Sequence, residues 1–84
     1  MRDNKINVDL IVPYLDERYN LFIPTNKSIG EIIILLSYIL NEMSMCFPYK
    51  PNRSLLDVYE NKIYSFEEIV KDAGIKNGAV LVLI

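Results

Sequence analysis

Eleven Asp and Glu side chains and no histidine set the terms on which this chain could do chemistry. The acids gather in three places: Asp16-Glu17, Asp57 with Glu60, and Glu67-Glu68 with Asp72. Paired carboxylates serve acid–base catalysis where burial drives their pKa values apart. These pairs fall in expected turns and at an expected helix start, where Glu67 and Glu68 favour the dipole and the cap. Their reading is structural. Without His, the chain lacks the usual general base near neutral pH and the commonest metal ligand. A thiol–imidazole pair at the lone cysteine, Cys46, is excluded with it. One cysteine makes no internal disulfide, and its place after an apolar helix suits a small buried hydrophobe. Gly30, Gly74 and Gly78 are isolated and build no phosphate-binding loop. The expectation is a non-enzymatic protein with no catalytic, metal or cofactor-binding residues, working through its surface.

Composition narrows what that surface meets. The 84 residues are 51% hydrophobic and 24% charged, with net charge −2, as expected of one globular domain over 1–84. Nine Lys and Arg are scattered among the acids, so there is no basic footprint for nucleic acid. Six tyrosines without a basic groove make a poor case for base stacking. The longest apolar run, starting at Ile32, is too short to span a bilayer. The opening MRDNKINVDLIV has early charges and then alternates, unlike a signal peptide. A cytoplasmic location is the expectation.

The elements organise around Ser28–Met45. Ser28 and Glu31 form a capping box, and the following Ile/Leu-rich run, free of Pro, predicts a helix of about four to five turns. At about 100° per residue, Ile29, Ile32, Ile33, Leu36, Leu40 and Met43 share one face, with Ile39 at its edge. That face needs a sheet. Lys5–Val12 alternates as a half-buried strand, a turn follows at Pro13–Arg18, and Tyr19–Ile23 is a second strand stopped by Pro24. Cys46–Asn52 is a proline-containing loop whose Phe47 or Tyr49 could fold back onto the helix. Leu55–Tyr59 and Ile63-Tyr64 read as short strands around a turn. A second capping box at Ser65 predicts a short helix over Phe66–Asp72, closed by Gly74. Asn77-Gly78 is a turn, and Ala79–Ile84 the last strand. The order β-β-α-β-β-(short helix)-β predicts an α+β fold, one long helix packed on a mixed sheet.

This layout resembles the ubiquitin-like β-grasp superfamily over nearly the whole chain. The stretches YNLFIPTNKSIGEIIILL and AGIKNGAVLVLI are most similar to the small bacterial ubiquitin-like proteins YukD and EsaB, which accompany type VII (WXG100) secretion systems. The resemblance implies a non-catalytic accessory or regulatory role there, with a protein partner. The alternative is a ubiquitin-like adaptor unrelated to secretion. Sulfur carriers of this superfamily end in Gly-Gly, whereas this sequence ends Val80-Leu81-Val82-Leu83-Ile84. A sulfur-carrier-type role is accordingly disfavoured.

Two surfaces are candidates for that partner. In the last strand Leu81 and Leu83 point one way and Val80, Val82 and Ile84 the other; if the first set faces the helix, the second lies on the open face of the sheet. The resemblance makes that face an apolar docking patch. On the helix, Ile34, Tyr38 and Met45, with Leu35 on the flank, share the side away from the sheet. An apolar stripe there predicts a docking surface or a homo-oligomer interface.

Overall fold

A computed structural model describes residues 4–44, 47–48, 50 and 52–84. Cys46, Met45 and Tyr49 lie outside the described residues. Strand β1 (Lys5–Val12) and strand β2 (Glu17–Pro24) form an antiparallel hairpin, paired along their full lengths from Lys5–Pro24 to Val12–Glu17. Its connection is a 3-10 turn at Pro13–Leu15, closed by Asp16 at φ 53°. β2 thus begins earlier than the polar cluster suggested, because Glu17 and Arg18 both pair with β1.

Helix α1 (Ile29–Ser44) follows. Its capping box forms in both directions: Glu31 N–H donates to Ser28 Oγ at 3.1 Å, and Ser28 N–H to the Glu31 carboxylate at 2.9 Å. The Ser28 N–H, and after it the Ser28 hydroxyl, hold the Glu31 carboxyl below its ordinary range. Ile29, Ile32, Ile33, Leu36 and Leu40 are buried as the periodicity requires. Met43 is not. It is 61% exposed, because the last turn of α1 carries it beyond the packed face that ends at Leu40.

Strand β3 (Leu55–Asp57), strand β4 (Lys62–Ile63) and strand β5 (Ala79–Leu83) complete a five-stranded sheet in the order β2-β1-β5-β3-β4. β1 and β5 are parallel and the other pairs antiparallel, giving the mixed sheet. β3 stops short of Val58 because Asp57 turns the chain: its Oδ1 accepts from Tyr59 N and Glu60 N, both at 2.9 Å. Tyr64 Oη donates to Asp57 Oδ2 at 3.2 Å. Burial, then the nearby Asp57 charge, push the Tyr64 phenol up to about 12.

The short helix expected over Phe66–Asp72 does not form. Ser65 N–H does reach Glu68 Oε1, yet Ile69 is extended and only Val70–Asp72 makes a 3-10 turn. The reason lies in α1. The first N–H groups of a helix have no partner within it, and here Ile29 N donates to Glu68 O at 2.8 Å and Gly30 N to Phe66 O at 3.0 Å. Carbonyls committed to α1 are unavailable to a local helix. The Asn77-Gly78 turn forms with Gly78 at φ 87°, and Asn77 Oδ1 accepts from Asn7 N at 2.7 Å, which leads β5 into register beside β1. Among the described residues, no helix is long and apolar enough to cross a membrane.

Candidate partner-binding surfaces

The register of the sheet decides what its open face presents. Leu81 and Leu83 are buried toward α1, and Val80, Val82 and Ile84 point the other way, as alternation demands. The three differ in access. Val80 is only 6% exposed and so is no docking residue. β5 is flanked by β1 and β3, with Asp9 opposite Val80 on one side and Val58 N–H bonded to the Val80 carbonyl on the other. Val82 is half-buried, and Ile84 is 46% exposed.

Val82 is joined by residues that the sequence alone did not single out. It pairs with Ile11 on β1 and Leu56 on β3, and Leu56 pairs with Ile63 on β4. Arg18 pairs with Ile11 on the far side. One row, Arg18–Ile11–Val82–Leu56–Ile63, therefore crosses all five strands on a single face. The row is apolar from Ile11 on β1 to Ile63 on β4. Beside it, β1 and β2 carry the exposed Phe22 and a polar ladder: Asn7 and Asn20 exchange amide hydrogen bonds at 3.0 Å, and Asn20 Nδ2 and Arg18 Nη2 donate to Asp9 at 2.8 and 2.9 Å. Those bonds, Asn20's first, hold the Asp9 carboxyl below its ordinary range. An apolar patch edged by an ordered polar ladder is the anatomy of an interface core and rim.

The second surface is the outer side of α1. Ile34 is 70% and Tyr38 66% exposed, and Leu35 is also exposed; Met45 lies outside the described residues. Phe47 does not cover this stripe. Its ring is in the core, edge-on to Tyr14 at 6.0 Å and beneath the Arg53 guanidinium at 3.9 Å. Asn41 Nδ2 holds the Phe47 carbonyl at 2.7 Å, and Arg53 Nη2 the Pro48 carbonyl at 2.6 Å. With Phe47 drawn inward, a groove of about 460 Å³ opens between α1 on one side and Phe47 and Lys50 on the other. Ile33, Ile34, Ser37 and Tyr38 line its helix side, and Lys50 stands across from them. Phe47, Lys50 and Asn41 were not candidates from sequence, since their roles depend on where the post-helix chain lies.

Among the described residues, Asp57, Glu60 and Glu68 lie near the Tyr64 phenol, and several acids hold local structure. Asp57 holds a turn, Glu31 caps α1, and Glu67 accepts from Ser65 Oγ at 2.7 Å, which keeps its carboxyl below the ordinary range. Among the described residues, no group of three or more His, Cys, Asp or Glu could hold a metal ion.

No protein-family model and no curated protein matches the sequence. Solved structures do match. The ubiquitin-like domain of the type VII secretion protein EccD1 of Mycobacterium tuberculosis aligns over 95% of this chain and 97% of its own, with a TM-score of 0.71 and 14% identity. The ubiquitin of Caldiarchaeum subterraneum aligns over 95% and 91%, with a TM-score of 0.72 and 13% identity. The fold is the ubiquitin-like β-grasp. A chain of the toluene 4-monooxygenase HD complex shares this β-grasp over 94% of the present chain and 95% of its own, with a TM-score of 0.77 and 9% identity. At such identities the likeness is one of fold, and the ubiquitin-like scaffold serves several assemblies.

Proposed function

We propose that this protein is a non-catalytic ubiquitin-like interaction module, an accessory or regulatory component of a bacterial type VII secretion system acting in the cytoplasm. The observation that carries the interaction reading is the apolar row Ile11–Val82–Leu56–Ile63 on the open sheet face, bordered by the Asn7–Asn20–Asp9–Arg18 ladder. A partner covering that row removes apolar surface from water, while the ladder sets its orientation. Support for the secretion setting comes from the likeness to the EccD1 domain along almost its whole length and from the YukD/EsaB-like strand–Pro–helix segment.

The test is export of WXG100 substrates by the host strain. Loss of the protein should lower export, the wild type should restore it, and Ile63→Arg with Val82→Lys should not restore it although the purified variant still melts cooperatively. Unchanged export in the strain without the protein sinks the secretion reading. The alternative is an adaptor of another assembly, favoured by the near-full-length match to a chain of the toluene 4-monooxygenase complex. Co-purification of oxygenase rather than secretion components with the wild type, lost in the same variant, would select it.

A further inference from the structure

The outer face of α1 carries both halves of a self-complementary contact, and we propose that it is the interface of a homodimer whose two-fold axis runs roughly parallel to α1. At about 100° per residue, Ile34 and Tyr38 form the crest of this face. Ser37 and Asn41 lie on one flank, where the groove opens toward Phe47 and Lys50. Leu35 and Glu42 lie on the other flank. The ion pairs among the described residues are Arg18–Asp9 and Lys62–Glu68, so neither Lys50 nor Glu42 is engaged in one. Glu31, the other acid of this face, is committed to the cap.

A two-fold axis parallel to the helices brings unlike flanks together. Each copy's Leu35 then faces the other copy's groove, and each Glu42 approaches the other copy's Lys50. A perpendicular axis in the contact plane would oppose like flanks, leaving both Lys50 side chains on one side and both Glu42 on the other, with no Lys50–Glu42 contact. The charge arrangement therefore selects the parallel dimer. Such an interface is isologous, with every contact made twice. Tyr38 beside the axis is the kind of residue that anchors such contacts. The face is one helix wide and about 24 Å long, at the small end of interface sizes, so the dimer is a concentration-dependent one.

The test is sedimentation equilibrium from about 10 μM to about 1 mM, with a melting curve for each protein. The wild type should approach the dimer mass. Lys50→Glu and Glu42→Lys should each weaken association about tenfold by placing like charges in contact twice over. An equimolar mixture of the two should restore it, because both cross-contacts are again opposite in sign. Ile34→Glu/Tyr38→Glu should abolish association with the melt retained. A wild type monomeric throughout overturns the proposal, as does a mixture no better than its parents. Association that persists in the Ile34/Tyr38 variant places the interface elsewhere and overturns it too.

Discussion

Gly30 N–H donates to the Phe66 carbonyl at 3.0 Å, and a Cβ at position 30 would stand 3.3 Å from that same oxygen. The glycine lets the segment after β4 close over the first turn of α1. Val70 N bonded to Lys27 O and Lys71 N to Thr25 O extend this seam. Gly30→Ala gains helix propensity of up to about 1 kcal/mol, which the tight contact offsets, so its stability should stay within about 1 kcal/mol of wild type. Gly30→Val has no such compensation and should cost about 1–3 kcal/mol through overpacking. Urea unfolding of both measures this, and an unaffected Gly30→Val would mean the seam yields freely.

Leu36 and Met43 share a face by periodicity and part company in the fold. Leu36→Ala should cost about 2–5 kcal/mol in transfer and cavity terms. Met43→Ala, at a 61% exposed site, should stay within about 0.5 kcal/mol. Equal losses in thermal or urea melts would show that the last turn of α1 is packed after all.

Asp57 is buried and accepts from Tyr59 N, Glu60 N and Tyr64 Oη. Asp57→Ala strands those donors and should cost about 1–3 kcal/mol, more than Tyr64→Phe, at about 0.5–1.5 kcal/mol. The phenolate absorbance of the wild type should contain one component titrating near the value of about 12 set by burial and Asp57. Because the folded value is raised, the contribution of Tyr64 to stability is complete below its unfolded pKa of about 10 and is lost as pH rises through the folded value. Absence of a late component in the titration would place Tyr64 in solvent.

Acid should act in the opposite sense. Asp9, Glu31 and Glu67 are all held below their ordinary values by hydrogen bonds to their ionised forms. Their stabilisation is present above the unfolded carboxylate range, from about pH 5 upward, and is lost as pH falls through the lowered folded values. Glu31 and Glu67 are exposed and Asp9 is only partly covered, so each contribution is small and screened by salt. Urea midpoints measured from neutral pH down to about pH 3 should fall, and Asp9→Asn should flatten part of that fall. A profile indifferent to Asp9→Asn would show that the ladder adds nothing to folding.

What the sequence alone determined is what neighbouring residues settle among themselves. Ser28 and Glu31 are close enough to cap α1 without help, the alternation of Lys5–Val12 marks a strand before its partners are known, and Asn77-Gly78 turns because Gly78 tolerates positive φ. That Leu81 and Leu83 share one face of β5 follows from the same alternation, while the packing of that face on the helix was the fold's to decide. Tertiary structure decided the rest, because the competing groups lie far apart in sequence. Phe66 and Glu68 could have begun a helix, but their carbonyls satisfy the first N–H groups of α1 instead. Val80 alternates like Val82, yet in the fold Val80 is buried and Val82 half-buried, a difference the alternation does not carry. The row Ile11–Val82–Leu56–Ile63 exists only through register, since strands from both ends of the chain must align before those side chains form one surface. The groove beside α1 likewise had to wait for Phe47 to enter the core, where burying an aromatic ring outweighs leaving it over the helix.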